Sequence, residues 1–343
     1  MSVRVKRVAA NLFAQLRIFR AYSALKPRSN HELLLLGYHR ILPLGDGIEY
    51  DGDVELVSAT PEEFAWQVDY IRRRFNPVTF DDIADCFDGR QQLPPRAIAI
   101  TFDDGFSDVY EYAFPILRRA GVPATVFVST DYVDQPEPFW FDLVAWIVAN
   151  APADTEFVIG DLQTNPACGS PLARSVAAVE ILRWLKNCSE PERQAAVKSI
   201  FEKLPNLTLK GIERLGRALT WDQIREMASA GIEFGSHTLS HRCLAKLSQA
   251  ELEHELLASR DRLEEKLSLP VTALAYPFGG PTAYNDNVIA TARRFGYRVC
   301  TTYIPGINSL EVADRFALRR QNVERYTSRP YFEAIVNAPR WFD

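Results

Sequence analysis

The stretch AITFDDGFSDVY, residues 99–110, runs from an unbroken apolar segment into two adjacent carboxylates and a glycine. Extended back to Arg96, the apolar part RAIAITF reads as a buried strand behind Pro94 and Pro95. From Val109 the pattern turns helical, so the quoted stretch is the junction of a strand and a helix, the building step of an α/β fold. Adjacent aspartates at a strand end repel each other and lose hydration, so something must compensate Asp103 and Asp104. An Asx-type turn or a helix cap would use them locally. A metal ion would use them chemically, and would need further ligands from elsewhere in the chain.

The same alternation extends in both directions. ELLLLGYHRI (32–41) is a buried strand ending at His39. TPEEFAWQVDYIRRRF (60–75) has Thr60 as N-cap and Glu63 three residues on, a capping box followed by apolar positions at helical spacing. VYEYAFPILRRAG (109–121) predicts a helix started or kinked by Pro115 and stopped by Gly121, and ATVFVST (124–130) a third strand. Further on, helices are expected at 220–231, 248–267 and 285–296, and strands at IEFGSH (232–237), VTALAYPF (271–278), YRVCTTY (297–303) and RFALRRQNV (315–323). About seven strands alternating with helices argue for parallel βαβ units, closed as a barrel or open as a sheet. The motifs sit at or just past the C-terminal ends of their strands, where such folds build their sites.

Residues 132–219 interrupt this rhythm with the aromatic run PFWFDLVAWIV and the helical stretches ARSVAAVEILRWLK and ERQAAVKSIFEKL. They are too long for a plain connection and read as a helical insertion, a lid or substrate wall. Its aromatics read as ordinary core ahead of sugar-stacking platforms.

The chain has 343 residues, 47% hydrophobic and 24% charged, with a formal net charge of −5, which argues against a nucleic-acid binder. Its five cysteines, Cys86, Cys168, Cys188, Cys243 and Cys300, are odd in number and lack paired spacing, so a reducing compartment is expected. No apolar run is long enough to span a bilayer. Residues 1–30 carry seven Lys and Arg and no acid before Glu32. They read as a basic helix, either lying on an anionic membrane surface or packed on the domain with a solvated face. Without a convincing cleavage site the expected location is cytoplasmic, peripheral to the inner membrane.

Of five histidines, His237 and His241 stand four apart in FGSHTLSH, directly after a strand. One helical turn would put both imidazoles on one face, close enough to share an ion. With one aspartate they make a three-ligand set that leaves positions open for water, and the second aspartate is then a base. His254, flanked by Glu253 and Glu255, reads as a solvated helix residue.

TFDDG (101–105), SHTLSH (236–241) and AYPFG (275–279) closely resemble, in that order, the first three motifs of the polysaccharide deacetylase family, carbohydrate esterase family four. The resemblance covers about residues 33–323 and leaves 1–30 and 132–219 unexplained. It implies a distorted parallel (β/α)7-type barrel over residues 31–343, which the helical insertion read at about 132–219 interrupts. It also implies metal-assisted hydrolysis of N-acetyl groups on amino sugars, with zinc the usual metal. Carried over, Asp103 is the general base, Asp104, His237 and His241 are the metal ligands, and the Phe278 N–H is the oxyanion donor. The substrate would be an N-acetylated glycan, its precursor or a lipid-linked saccharide.

Two positions depart from the pattern. The third motif usually opens on an arginine that steadies the base, and Ala275 stands there instead; the C-terminal Leu-x-His motif that supplies the general acid is missing. His39 offers a repair, because the chain resembles the permuted subgroup that includes poly-N-acetylglucosamine deacetylases, where this histidine comes from the N-terminal strand. A hydrogen-bonded core histidine is the alternative. Rival functions are a non-haem iron oxygenase, which the paired aspartates fit poorly, a non-catalytic carbohydrate-binding relative, and an amidase of the same fold acting on a small or lipid-linked amide.

Overall fold

The computed structural model describes residues 31–44, 50–135, 138–152, 155–159, 162–164, 171–202, 204 and 212–341. The expectations for residues 1–30 therefore lie outside the described residues, as does Cys168; Cys86, Cys188, Cys243 and Cys300 are free thiols.

Seven parallel strands form the frame: β1 (Glu32–Tyr38), β2 (Ala97–Phe102), β3 (Thr125–Val128), β4 (Glu233–Ser236), β5 (Ala273–Ala275), β6 (Val299–Thr301) and β7 (Gln321–Asn322). Their spatial order is their chain order, and β7 returns to pair with β1. A parallel bridge between Thr301 and Leu318, just before β7, joins the two edges. The sheet therefore curls into a barrel with a thin seam, the distorted (β/α)7 form expected.

Alternation along the strands sorts the core into two layers. Leu34, Leu36, Ile98, Ile100 and Phe102 belong to the outer layer, packed against α1 (Pro61–Arg74) and its neighbours. Leu33, Leu35, Ala97, Ala99, Ala273 and Val299 belong to the inner one. Small alanines suit the crowded barrel axis. A helix over Phe80–Phe87 joins that inner layer through Phe80, Ile83 and Ala84, and the Glu233 carboxylate, at the start of β4, accepts from the Phe80 and Asp81 N–H groups at 2.8 and 2.9 Å. The N-terminal end of the barrel is thus covered, and the C-terminal end is left for the motifs.

Three sequence expectations change in detail. Pro115 starts a helix over Phe114–Ala120, but the turn before it is a π-helix over Val109–Ala113, a form that single-turn bulges near functional sites often take. The last three strands are much shorter than their apolar runs, because the chain leaves the sheet at site-forming bends. Between 132 and 219 the helices over Pro171–Asn187 and Glu190–Glu202 appear where expected, together with a helix over Trp140–Asn150 on the aromatic run and an antiparallel hairpin over Phe157–Ile159 and Leu162–Thr164 that apolar spacing alone does not reveal. Phe139, Phe141, Trp146, Ile181 and Leu185 build this segment's own core, which reaches the barrel through Phe106. The aromatic run is core, as read.

Candidate active site

Strand register decides which residues meet. β1 and β2 pair residue for residue from Leu33–Ala97 to Tyr38–Phe102, so His39 and Asp103 leave the sheet side by side; the Asp103 N–H donates to the Tyr38 carbonyl at 3.0 Å. Val128 pairs with Ser236 across β3 and β4, so His237 emerges at the same level, its N–H held by the Val128 carbonyl at 2.9 Å.

Asp104 takes a left-handed backbone (φ 71°) that swings it away from its neighbour. Its Oδ1 lies 3.3 Å from His237 Nε2 and 3.2 Å from His241 Nε2, all three groups buried. The contact has the distance of a hydrogen bond without its direction: Asp104 Oδ1 and His241 Nδ1 are both buried without a hydrogen-bond partner among the described residues. An orphaned carboxylate oxygen is costly unless a cation completes it, and these three donor atoms fall within 4.8 Å of one another. One carboxylate oxygen and two imidazole nitrogens fit zinc and other divalent ions of similar taste. The His237 Nδ1 lies 2.8 Å from the Ala275 carbonyl, a contact that fixes the ring and leaves Nε2 its lone pair.

The His237–His241 pair does not ride on a helical turn, as its spacing suggests. It sits on an irregular loop in which Thr238 (φ 68°) and His241 (φ 57°) are left-handed. Ser236 Oγ accepts from the Thr238 N–H, Thr238 Oγ1 from the His241 N–H, and the buried Glu255 carboxylate from the Leu239 and Ser240 N–H groups. Glu255 belongs to α2 (Gln249–Leu267), so a packed helix pins the loop. Left-handed backbone at a β-branched residue is strained, and these bonds are what sustain it.

Asp103 is held by an arginine after all, though not from the third motif. Arg320, fully buried just before β7, forks onto Asp103 with NH1–Oδ1 at 2.7 Å and NH2–Oδ2 at 2.6 Å, and also donates to Thr101 Oγ1 and the Thr302 carbonyl. Sequence reasoning passed over it within ALRRQNV. The signal was the vacant arginine place at Ala275: a permuted chain that relocates a histidine can relocate the cation too. Tyr303 was also missed. Its hydroxyl lies 3.3 Å from His39 Nδ1, and its backbone approaches Gly279 so closely that a side chain there would collide with it.

Burial pushes Asp103 up, but the Arg320 charge outweighs it and holds the carboxyl below its ordinary range. Asp104 is likewise raised by burial, yet His237 and His241 hold it well below that range. His39 goes the other way: burial lowers it, in spite of Asp104 and Asp103. Phe278 is left-handed (φ 62°), with its ring 5.0 Å from that of His241, and among the described residues its N–H has no acceptor. His39, Asp103, Asp104, His237, His241 and Phe278 all line one cavity of about 430 Å3, to which the inserted segment adds Phe141, Lys186 and Asn187. All six residues singled out from the sequence thus come together.

A family model described as polysaccharide deacetylase matches residues 90–300. Among curated proteins, YxkH of Bacillus subtilis is 24% identical over 243 residues, 71% of this chain and 57% of that one. The poly-β-1,6-N-acetyl-D-glucosamine N-deacetylases of Escherichia coli K12 and Staphylococcus epidermidis are 31% and 29% identical over 105 and 108 residues. Those matches cover 30% and 29% of this chain, and 13% and 37% of the relatives. The chain spans less than two thirds of the length of each of these relatives. Among solved structures, the Streptococcus pyogenes deacetylase PplD superposes with a TM-score of 0.57 at 19% identity, covering 89% of this chain and 97% of that one. IcaB from Ammonifex degensii gives 0.57 at 21%, covering 90% and 97%. At such identities these two show the shared fold.

Proposed function

Because the chain belongs to the polysaccharide deacetylase family, we propose that it removes N-acetyl groups from amino-sugar residues of a polysaccharide or its precursor, with a divalent cation, zinc by preference, held by Asp104, His237 and His241. The observation that carries this reading is the orphaned Asp104 Oδ1 facing two Nε2 atoms in a cavity that Asp103 and His39 also line. A cation bound there would supply Lewis-acid polarisation and would make water a usable nucleophile at neutral pH.

The chain's own groups account for the remaining chemistry. Asp103 accepts the proton of the attacking water, and Arg320 keeps that carboxylate ionised and aimed. The Phe278 N–H donates to the oxygen on which charge develops, worth on the order of 3 kcal/mol for a good donor. His39 gives a proton to the departing nitrogen, with its ring oriented by Tyr303. The products are acetate and a free amino sugar. The deciding experiment is acetate release from a panel of N-acetylated glycans, before and after chelation and with metals restored. Turnover of simple amides but no glycan would assign the chain to the amidase reading, and metal binding without any acetate would assign it to a non-catalytic one.

We further propose a cytoplasmic location, supported by the four free thiols, with residues 1–30 resting on anionic lipid, supported by their charge. Co-sedimentation with anionic against neutral vesicles tests the second part, and recovery of native protein only from the exported fraction would overturn the first.

A further inference from the structure

Beside the proposed catalytic cavity lies a larger one, of about 930 Å3, that the reaction above does not use. Cys243 and Lys246 line both, so the two spaces adjoin. One wall is the inserted segment, through Trp140, Arg193 and Lys198. The other is the stretch after His241, through Arg242, Lys246 and Glu251.

Charge divides unevenly between the two spaces. The catalytic cavity carries Asp103, Asp104, Glu55 and Glu324 against Lys186, Lys246 and Arg325. The larger one sets four cations, Arg193, Lys198, Arg242 and Lys246, against Glu251 among its lining residues; Lys198 also meets Glu202 at 3.8 Å, and Lys246 donates to the Asn187 and Cys188 carbonyls at 2.7 and 3.2 Å. Glu251 is already engaged by Arg242 at 2.8 Å and by the Ser248 cap of α2. In a chain of net charge −5 such a wall is a local concentration of positive charge, not a reflection of composition. Arg193 is only 6% exposed and stacks its guanidinium 4.7 Å above the Trp140 ring. Bringing that many cations to one concavity costs mutual repulsion that a bound anion offsets. Guanidinium forks beside lysine ammonium groups suit the tetrahedral oxygens of a phosphate ester.

We infer that this cavity is a subsite for a phosphate group carried by the sugar substrate, a glycosyl phosphate or diphosphate, bound while the N-acetyl group lies at Asp104, His237 and His241. The inference rests on the deacetylase reading for the identity of the sugar, but the subsite can be tested without turnover. Calorimetric titration of N-acetylglucosamine 1-phosphate and of N-acetylglucosamine into the full chain measures a preference, the ratio of the two affinities. A preference of about tenfold or more is expected, reduced to near unity in the double variant Lys198→Gln, Lys246→Gln, whose side chains are both exposed and whose thermal unfolding is measured alongside to show that the fold is kept. Arg242→Gln should reduce it by a smaller factor. The preference should survive Asp104→Asn, since the phosphate lies away from the ligand triad.

Equal affinity for the two sugars, or a preference that outlasts the double variant or vanishes with Asp104→Asn, would overturn the subsite. Acetate released from neutral glycans with no phosphate preference would remove the subsite and leave the deacetylase standing. A preference erased by the double variant, with no acetate from any substrate, would do the reverse. A polyprenyl-linked diphosphate sugar that binds tighter than the soluble phosphate would assign the source to a lipid carrier; equal binding would assign it to a soluble sugar phosphate.

Discussion

Arg40 and Arg320 are both buried arginines that bind aspartates near the C-terminal end of the barrel, yet their surroundings differ in one respect. Around Arg40 every oxygen is used. Its Nε donates to Asp108 Oδ2 at 2.8 Å and its NH1 to Asp142 Oδ2 at 2.9 Å, while Asp108 Oδ1 accepts from the Ile41 N–H and Asp142 Oδ1 from Tyr50 and the Asp53 N–H. NH1 also meets the Tyr50 hydroxyl, and the guanidinium lies over the Phe106 ring. Around Arg320 the fork onto Asp103 is equally complete, but the next residue, Asp104, is left with an orphaned oxygen opposite two imidazoles. A closed network of buried charge is a strut; here it ties the residue after His39 to the inserted helix over Trp140–Asn150. An open one is a place where something binds.

The comparison is broken most severely at the open end. Asp104→Asn should abolish acetate release to the level of the chelated wild-type chain and lower the metal content found by elemental analysis, while thermal unfolding changes little. A variant that keeps full metal and full turnover would mean that the orphaned oxygen is not a ligand.

Asp103→Asn should lower kcat by about 10²–10⁴-fold, the usual worth of a general base, with the metal retained. The two neighbouring aspartates are then separated by readout: one variant loses metal, the other keeps it and loses the chemistry. Full kcat in Asp103→Asn would remove the assigned base.

Arg40→Met tests the strut. Removing one partner from a closed buried network leaves Asp108 and Asp142 facing each other without a cation, at a cost of about 3–5 kcal/mol. Denaturant unfolding should show that loss, whereas kcat per folded molecule should stay within a few-fold. A collapse of kcat at unchanged stability would make Arg40 part of the chemistry.

The same contrast explains how far the sequence could be read. Asp103, Asp104 and His39 announce themselves because each ends an apolar run, so the local pattern alone sets them at strand ends. The His237 and His241 spacing gives proximity correctly and conformation wrongly, since a helical turn and a left-handed loop both return to one side after four residues. What the spacing cannot carry is Glu255, which holds the loop from a helix and looks like any acid on its surface face. Arg320 was unreadable for a related reason: it is one of 39 Lys and Arg, and its partner stands at the end of β2, more than two hundred positions earlier in the chain and one strand away in the sheet. The short strands β5 and β6 were overdrawn because apolar residues continue past the last ladder bond into the bends that bear Phe278 and Tyr303.

The smallest expected effect is a difference in sign. Burial pushes Asp142 up to about 6 in spite of Arg40, whereas Asp103, raised by burial but held by Arg320, falls below its ordinary 3.8. A carboxyl raised in the folded state binds its proton more tightly there than in the unfolded chain. Its contribution to stability is therefore fully present below about pH 4 and is lost as pH rises through 6. A depressed carboxyl contributes in the opposite sense, present above pH 3.8 and lost as pH falls through its folded value. Between pH 4.5 and 6.5 Asp142 gives up its proton and Glu233, raised further, begins to follow, so urea unfolding of the wild-type chain should show a modest decline in stability across that window. Asp142→Asn cannot titrate there and should make the profile shallower, while the loss below pH 4 belongs to the depressed carboxyls, Asp103 and Asp104 among them. If the decline survives undiminished in Asp142→Asn, the proton belongs to another group, and Glu233, raised by burial to about 7, is the next carboxyl to replace.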